Sequence, residues 1–172
     1  MTIENLVIFF AAFHTLGAAL GVGGITFAEI LYVKATRDGR VDAREREYVR
    51  ATFFALRWGM TVVLLAGVAL GLLEYQSPGA SQGVLFAPLW FQNTLALVII
   101  AAGYALAKGR IPWWFGSSAA LVGWWFMLTI DAWRTIPFSY LSLVIAYIVL
   151  VFITGAVLSY LRFLLSESKV AR

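Results

Sequence analysis

A single histidine, His14, stands inside the first long apolar run of this 172-residue chain. Neutral imidazole offers a nitrogen lone pair to a metal or a proton, so this is the residue on which chemistry would centre. At 100° per residue, His14, Gly17, Gly21, Gly24 and Ala28 fall within an arc of roughly 80° on one helix face. Gly17 and Gly21 form a small-xxx-small pair, which admits a neighbouring helix or a flat ligand close to the backbone. An imidazole above a glycine groove is one way to present an axial ligand to haem b or a related tetrapyrrole. In that reading His14 ligates the iron and Gly17, Gly21 and Gly24 form the near wall. The same pattern also suits plain helix packing, with His14 hydrogen-bonded to a neighbour. One histidine cannot supply bis-histidine ligation, so haem binding requires a five-coordinate iron, a different second ligand or a homodimer.

Charges within apolar runs are costly and are the next residues to weigh. Glu29 and Arg57 lie toward the same end of the first two runs, and antiparallel neighbours would bring them together as an ion pair. Arg57 would alternatively snorkel to the interface, anchor an anionic group or take part in a proton or anion relay. Asp131 and Arg134 stand one turn apart near the end of the fourth run, on the side where Glu74 ends the second; an interfacial salt-bridge cluster is expected. Gln92, Asn93 and Thr94 open the third run on that side too, so they and His14 can line one cavity.

Other chemistries lack their residues. Cysteine is absent, which removes disulfides, thiolate metal sites and thiol redox chemistry. There is no H-E-x-x-H and no G-x-x-x-x-G-K-[ST] motif. No motif supports a Ser-His-Asp arrangement, so catalytic residues are unknown at this level. A retinal Schiff base needs a buried lysine, whereas Lys34 and Lys108 fall at the ends of runs. The only methionines are Met1, Met60 and Met127, too scattered for a copper path.

The elements that must position these residues follow from composition. The chain is 62% hydrophobic and 13% charged, too little charge to cover a water-soluble domain of this length. Five apolar runs at about 6–33, 51–75, 88–107, 113–133 and 138–165 are each near the ~20 residues that cross a bilayer as a helix. Apolar residues continue through both parities, as in Leu95-Ala96-Leu97-Val98-Ile99-Ile100, which excludes the alternation of a membrane β-barrel. The expected fold is therefore all-α: a single domain, 1–172, forming an integral membrane bundle of five transmembrane helices. Met1-Thr2-Ile3-Glu4-Asn5 lacks a basic n-region, so the first run reads as a retained helix and not a cleaved signal.

Lys34, Arg37, Arg40, Arg44, Arg46 and Arg50 fill the first connection, the second has no Lys or Arg, and the third has Lys108 and Arg110. Arg134 edges the fourth, and Arg162, Lys169 and Arg172 mark the C-terminal end. The positive-inside rule then puts the N-terminus outside and the C-terminus in the cytoplasm of a multi-pass inner-membrane protein. Trp90, Trp113, Trp114, Trp133, Tyr75 and Tyr140 fall near the expected interfaces, with Trp124 and Trp125 deeper. The mixed-charge segment from Asp38 to Arg50 reads as a solvated extension of helix 2 that Asp42 caps, or as a surface for a partner or anionic lipid. Acids interrupt its bases, so no nucleic-acid partner is expected.

The run Phe13-His14-Thr15-Leu16-Gly17-Ala18-Ala19-Leu20-Gly21-Val22-Gly23-Gly24, with Gly-Gly eight residues beyond the histidine, resembles the CopD-like group of small bacterial membrane proteins. That group includes copper-resistance D-type proteins and, more distantly, HemJ-type protoporphyrinogen oxidases. Asp38-Gly39-Arg40 and Arg57-Trp58-Gly59 resemble uncharacterised relatives of this kind, and the likeness covers about the first 75 residues. It implies a four- or five-helix bundle with the helix 1 histidine facing inward. In HemJ-type proteins that histidine is associated with haem, which carries over to His14. Their third helix has a functional lysine after an aromatic start; Trp90-Phe91-Gln92-Asn93-Thr94 has none. The expected function is a His14-centred site that binds haem or another tetrapyrrole, with a redox or cofactor-handling role. The alternatives are an accessory or structural subunit of a larger membrane complex and a small-solute transporter. Expected partners are the lipid bilayer and either a second copy or a larger complex.

Overall fold

The structure, a computed structural model, describes residues 2–38, 43–76, 87–133 and 138–167. It is all-helical: α1 Ile3–Asp38, α2 Ala43–Tyr75, α3 Ala87–Ala107, α4 Trp113–Ala132 and α5 Tyr140–Glu167. Helices α1 and α2 extend past the expected apolar runs into the charged segment between them. Asp42, the expected cap, lies outside the described residues, as does most of the loop after α2. The tight α3–α4 connection closes on Gly109, whose φ of 63° is the left-handed conformation glycine adopts without strain. Its N–H bonds the Leu106 carbonyl and the Arg110 N–H bonds that of Ala105, which terminates α3.

Stretches of four helices are long and apolar enough to cross a membrane: Ile3–Lys34, Arg50–Leu73, Pro88–Ala107 and Tyr140–Leu164. They mark the chain as a membrane protein. Their outward faces carry exposed apolar side chains such as Phe27, Leu65, Leu97 and Phe152, which suit lipid and not water.

Helix α4 is different. It packs against α1, α3 and α5 and so occupies the middle of the bundle, while α2 lies along α1. Its buried residues include Gly116, Ser117, Ser118, Ala119, Ala120 and Gly123. Small side chains let helix backbones approach closely, and inside a membrane protein such packing replaces the hydrophobic drive that lipid removes. Trp124, only 1% exposed, fills the centre with Phe91, Leu95 and Met127. On α1, Gly17 meets Gly59 of α2 so closely that a Cβ on either would lie 2.9 Å from the other's carbonyl oxygen.

Candidate functional site

His14 is buried where α1, α2 and α4 meet. Its Nδ1 lies 2.8 Å from Oδ2 of Asp131, near the end of α4. The side chains of His14 and Asp131 are 8% and 10% exposed. From α3, the Gln92 amide donates to the other carboxylate oxygen, Oδ1, at 2.6 Å and reaches the Met127 carbonyl at 3.5 Å. Each Asp131 oxygen thus has a donor, and three helices are joined through one carboxylate. The C-terminal end of a helix disfavours negative charge, so α4 does not stabilise this carboxylate itself. The imidazole and the amide supply that stabilisation.

The contact suits one tautomer: an ionised carboxylate only accepts, so opposite an ionised Asp131 the Nδ1 would carry the hydrogen and donate it to Oδ2. In that tautomer of the neutral ring Nε2 keeps the lone pair and is the nitrogen that can accept a proton or bind a ligand. Among the described residues no hydrogen bond engages Nε2. The ring edge bearing Cδ2 and Nε2 faces Gly67 of α2, where an added Cβ would lie 3.6 and 3.7 Å from those atoms. This is the acid–histidine half of a Ser-His-Asp arrangement, but among the described residues no serine hydroxyl is bonded to His14.

The glycines expected to form a tetrapyrrole wall are filled by protein. A Cβ on Gly21 would lie 2.0 Å from the Trp124 ring, one on Gly17 would meet Gly59 and Val63, and one on Gly24 would meet Leu56. A metal tetrapyrrole on Nε2 needs about 2 Å for the bond and about 3.5 Å of clearance beyond its plane. The gap to Gly67 is one methyl group deep, too shallow for a macrocycle on that side of the ring. Among the described residues no group of three or more His, Cys, Asp or Glu is placed to hold a metal ion.

One of the expected ion pairs is rearranged. Glu29 pairs with Arg162 of α5 at 2.5 Å, not with Arg57. The face of α2 that meets α1 is formed by Leu56, Gly59 and Val63, which leaves Arg57 exposed. Glu29 points instead toward α4 and α5, where Arg162 also reaches the Ser117 hydroxyl at 3.3 Å. Asp131 is engaged by His14 and Gln92; Arg134, the expected partner, and the Glu74 side chain lie outside the described residues. Of the polar residues opening α3, Gln92 joins the site while Thr94 bonds Trp90 O and Tyr140 Oη.

Sequence reasoning missed the His14–Asp131 contact and the Arg162 pairing. Both join residues more than a hundred positions apart. The available signal was the scarcity of charge: few acids and bases lie in apolar runs, so each must find a partner among few. Two apolar cavities, of about 370 and 280 Å³, lie among Val98, Phe115 and Tyr147 and among Phe126, Trp133 and Phe138; neither is lined by His14, Asp131 or Glu29. Comparison with known proteins finds no matching family model, no matching curated protein and no matching solved structure.

Proposed function

We propose that this chain is a five-span bacterial inner-membrane protein in which His14, Asp131 and Gln92 form an intramembrane proton-transfer site serving a redox or transport reaction. The observation that carries the reading is the 2.8 Å contact between His14 Nδ1 and Asp131 Oδ2 away from solvent. Asp131 holds the ring and stabilises the imidazolium that forms when Nε2 takes a proton, and Gln92 holds Asp131. Helix α4 is the fifth span: packed against α1, α3 and α5, it has less need of lipid-facing apolar side chains. Basic residues alternating between connections support an outside N-terminus and a cytoplasmic C-terminus, which puts His14 in the outer half.

The lone histidine makes the test direct, because histidine labelled with ¹⁵N gives signals from one imidazole. In nanodiscs the full chain is expected to show the Nδ1–H tautomer and to exchange that proton with D₂O within hours. Asp131→Asn is expected to disturb the tautomer balance. A ring proton that persists for days would make His14 a static clasp and end the proton-transfer reading. A Soret band in the wild type, lost in His14→Ala, would instead favour the tetrapyrrole reading.

Gly67→Ala probes Nε2 without dismantling the site. The new methyl would make ordinary van der Waals contact with the imidazole edge, and Ala in place of Gly favours a helix by up to about 1 kcal/mol. Stability is expected to hold or rise while proton exchange at His14 slows. Unchanged exchange would show that the proton does not approach from the α2 side.

A further inference from the structure

At the other end of α1 the bundle holds a second buried polar group. His14 and Glu29 are separated by roughly 22 Å of helix at ~1.5 Å per residue. Between them lie the buried apolar residues Ala18, Val22 and Ile25, so the two sites are not one polar path. Around Glu29, Arg162 reaches both the carboxylate and Ser117, and its guanidinium carbon sits 5.0 Å from the centre of the Tyr32 ring. Tyr32 in turn stacks on Trp113 at 4.4 Å between ring centres, with 19° between planes.

Among the described residues, the buried side-chain atoms with no hydrogen-bond partner are Thr26 Oγ1, Glu29 Oε1, Trp113 Nε1 and Arg162 Nε. All four belong to this cluster or to the helix turn beside it. Glu29 is 6% exposed. A buried donor or acceptor without a partner bears its full desolvation penalty, and lipid offers no relief. The inventory is complementary: the indole and guanidinium N–H groups donate, the Glu29 oxygen accepts, and the Thr26 hydroxyl does either. The Glu29–Arg162 charges already neutralise each other, so an ion is not what the cluster requires.

We propose that Thr26, Glu29, Trp113 and Arg162 form a second binding site, whose occupant is small, uncharged and both a donor and an acceptor, and that this occupant is water. Water accepts from the Trp113 and Arg162 N–H groups and donates to Glu29 Oε1 and Thr26 Oγ1, which is the two-to-four-partner environment of buried structural water. The site is independent of the proton-transfer reading, since no residue is shared.

The test uses the full chain in nanodiscs with ¹⁵N-labelled tryptophan, the Trp113 indole signal being identified by its loss in Trp113→Phe. The Trp113 N–H is expected to show magnetisation exchange with water despite its burial. Thr26→Val supplies a second readout of known sign. Replacing an unpartnered hydroxyl by a methyl group of the same shape stabilises, whereas replacing one that holds a bridging water lowers the midpoint of thermal unfolding. A lowered midpoint is expected. A Trp113 N–H that ignores water for days, together with a raised midpoint in Thr26→Val, would overturn the site. A cross-peak from the indole to protons of a bound organic molecule would overturn water as its occupant.

Discussion

Glu29→Ala is expected to destabilise the protein by about 3–5 kcal/mol, the usual result of removing one member of a buried ion pair. Arg162 would then keep a charge only 16% exposed, with a long contact to Ser117 and the Tyr32 ring as compensation. Neither carries negative charge. The double variant Glu29→Ala/Arg162→Met should recover most of the loss, because no buried charge is left uncompensated. Arg57→Ala is the control: Arg57 is exposed and takes no part in the pair, so its loss should change stability by less than about 0.5 kcal/mol. Reversible unfolding in mild detergent measures all three. Comparable large losses in Arg57→Ala and Glu29→Ala, with no recovery in Glu29→Ala/Arg162→Met, would mean that Glu29 pairs across α1 and α2 after all.

That comparison also separates what was legible in the sequence from what was not. Helix positions were legible, since lipid demands about 20 apolar residues per crossing and the observed helices begin and end near the apolar runs. The interior face of α1 was legible too, because glycines spaced along one stripe announce a close neighbour. What filled that stripe was not. Spacing cannot distinguish a groove for a flat ligand from one for a tryptophan, and Trp124 is the occupant of Gly21. Adjacency in the chain suggested Glu29 with Arg57 and Asp131 with Arg134, the pairs a local argument always favours. The central position of α4 undoes this for Glu29 and gives Asp131 partners on two other helices, while Arg134 lies outside the described residues. That position brings α1 against α4 and α5, so Asp131 finds His14 and Glu29 finds Arg162. The serines, glycines and tryptophans of the fourth run, which is not among the stretches apolar enough to cross by themselves, were the overlooked sign that much of it packs against protein.

Gly21→Ala should be among the most damaging single-methyl additions available in α1, and Gly23→Ala among the most benign. On Gly21 the new Cβ would fall 2.0, 2.2 and 2.3 Å from Trp124 Cε3, Cζ3 and Cδ2. Those atoms belong to a rigid bicycle that is 1% exposed, so it cannot bend away as the tip of an aliphatic chain does. Either the indole or helix α1 must shift, and overpacking of this kind costs about 1–3 kcal/mol or somewhat more. Gly23 faces nothing within 4 Å, so alanine there should yield only the helix-propensity gain of up to about 1 kcal/mol. Two glycines in the same turn thus give effects of opposite sign, which no uniform account of glycine in membrane helices produces. Because Trp124 and Asp131 share α4, a displaced indole should also disturb the His14 ¹⁵N signals, while Gly23→Ala should leave them in place. Trp124→Leu combined with Gly21→Ala should relieve the clash and recover part of the loss, since the smaller side chain leaves room for the methyl. If Gly21→Ala proves as stable as the wild type, Trp124 does not rest on α1, and the central placement of α4, on which both buried polar sites depend, fails with it.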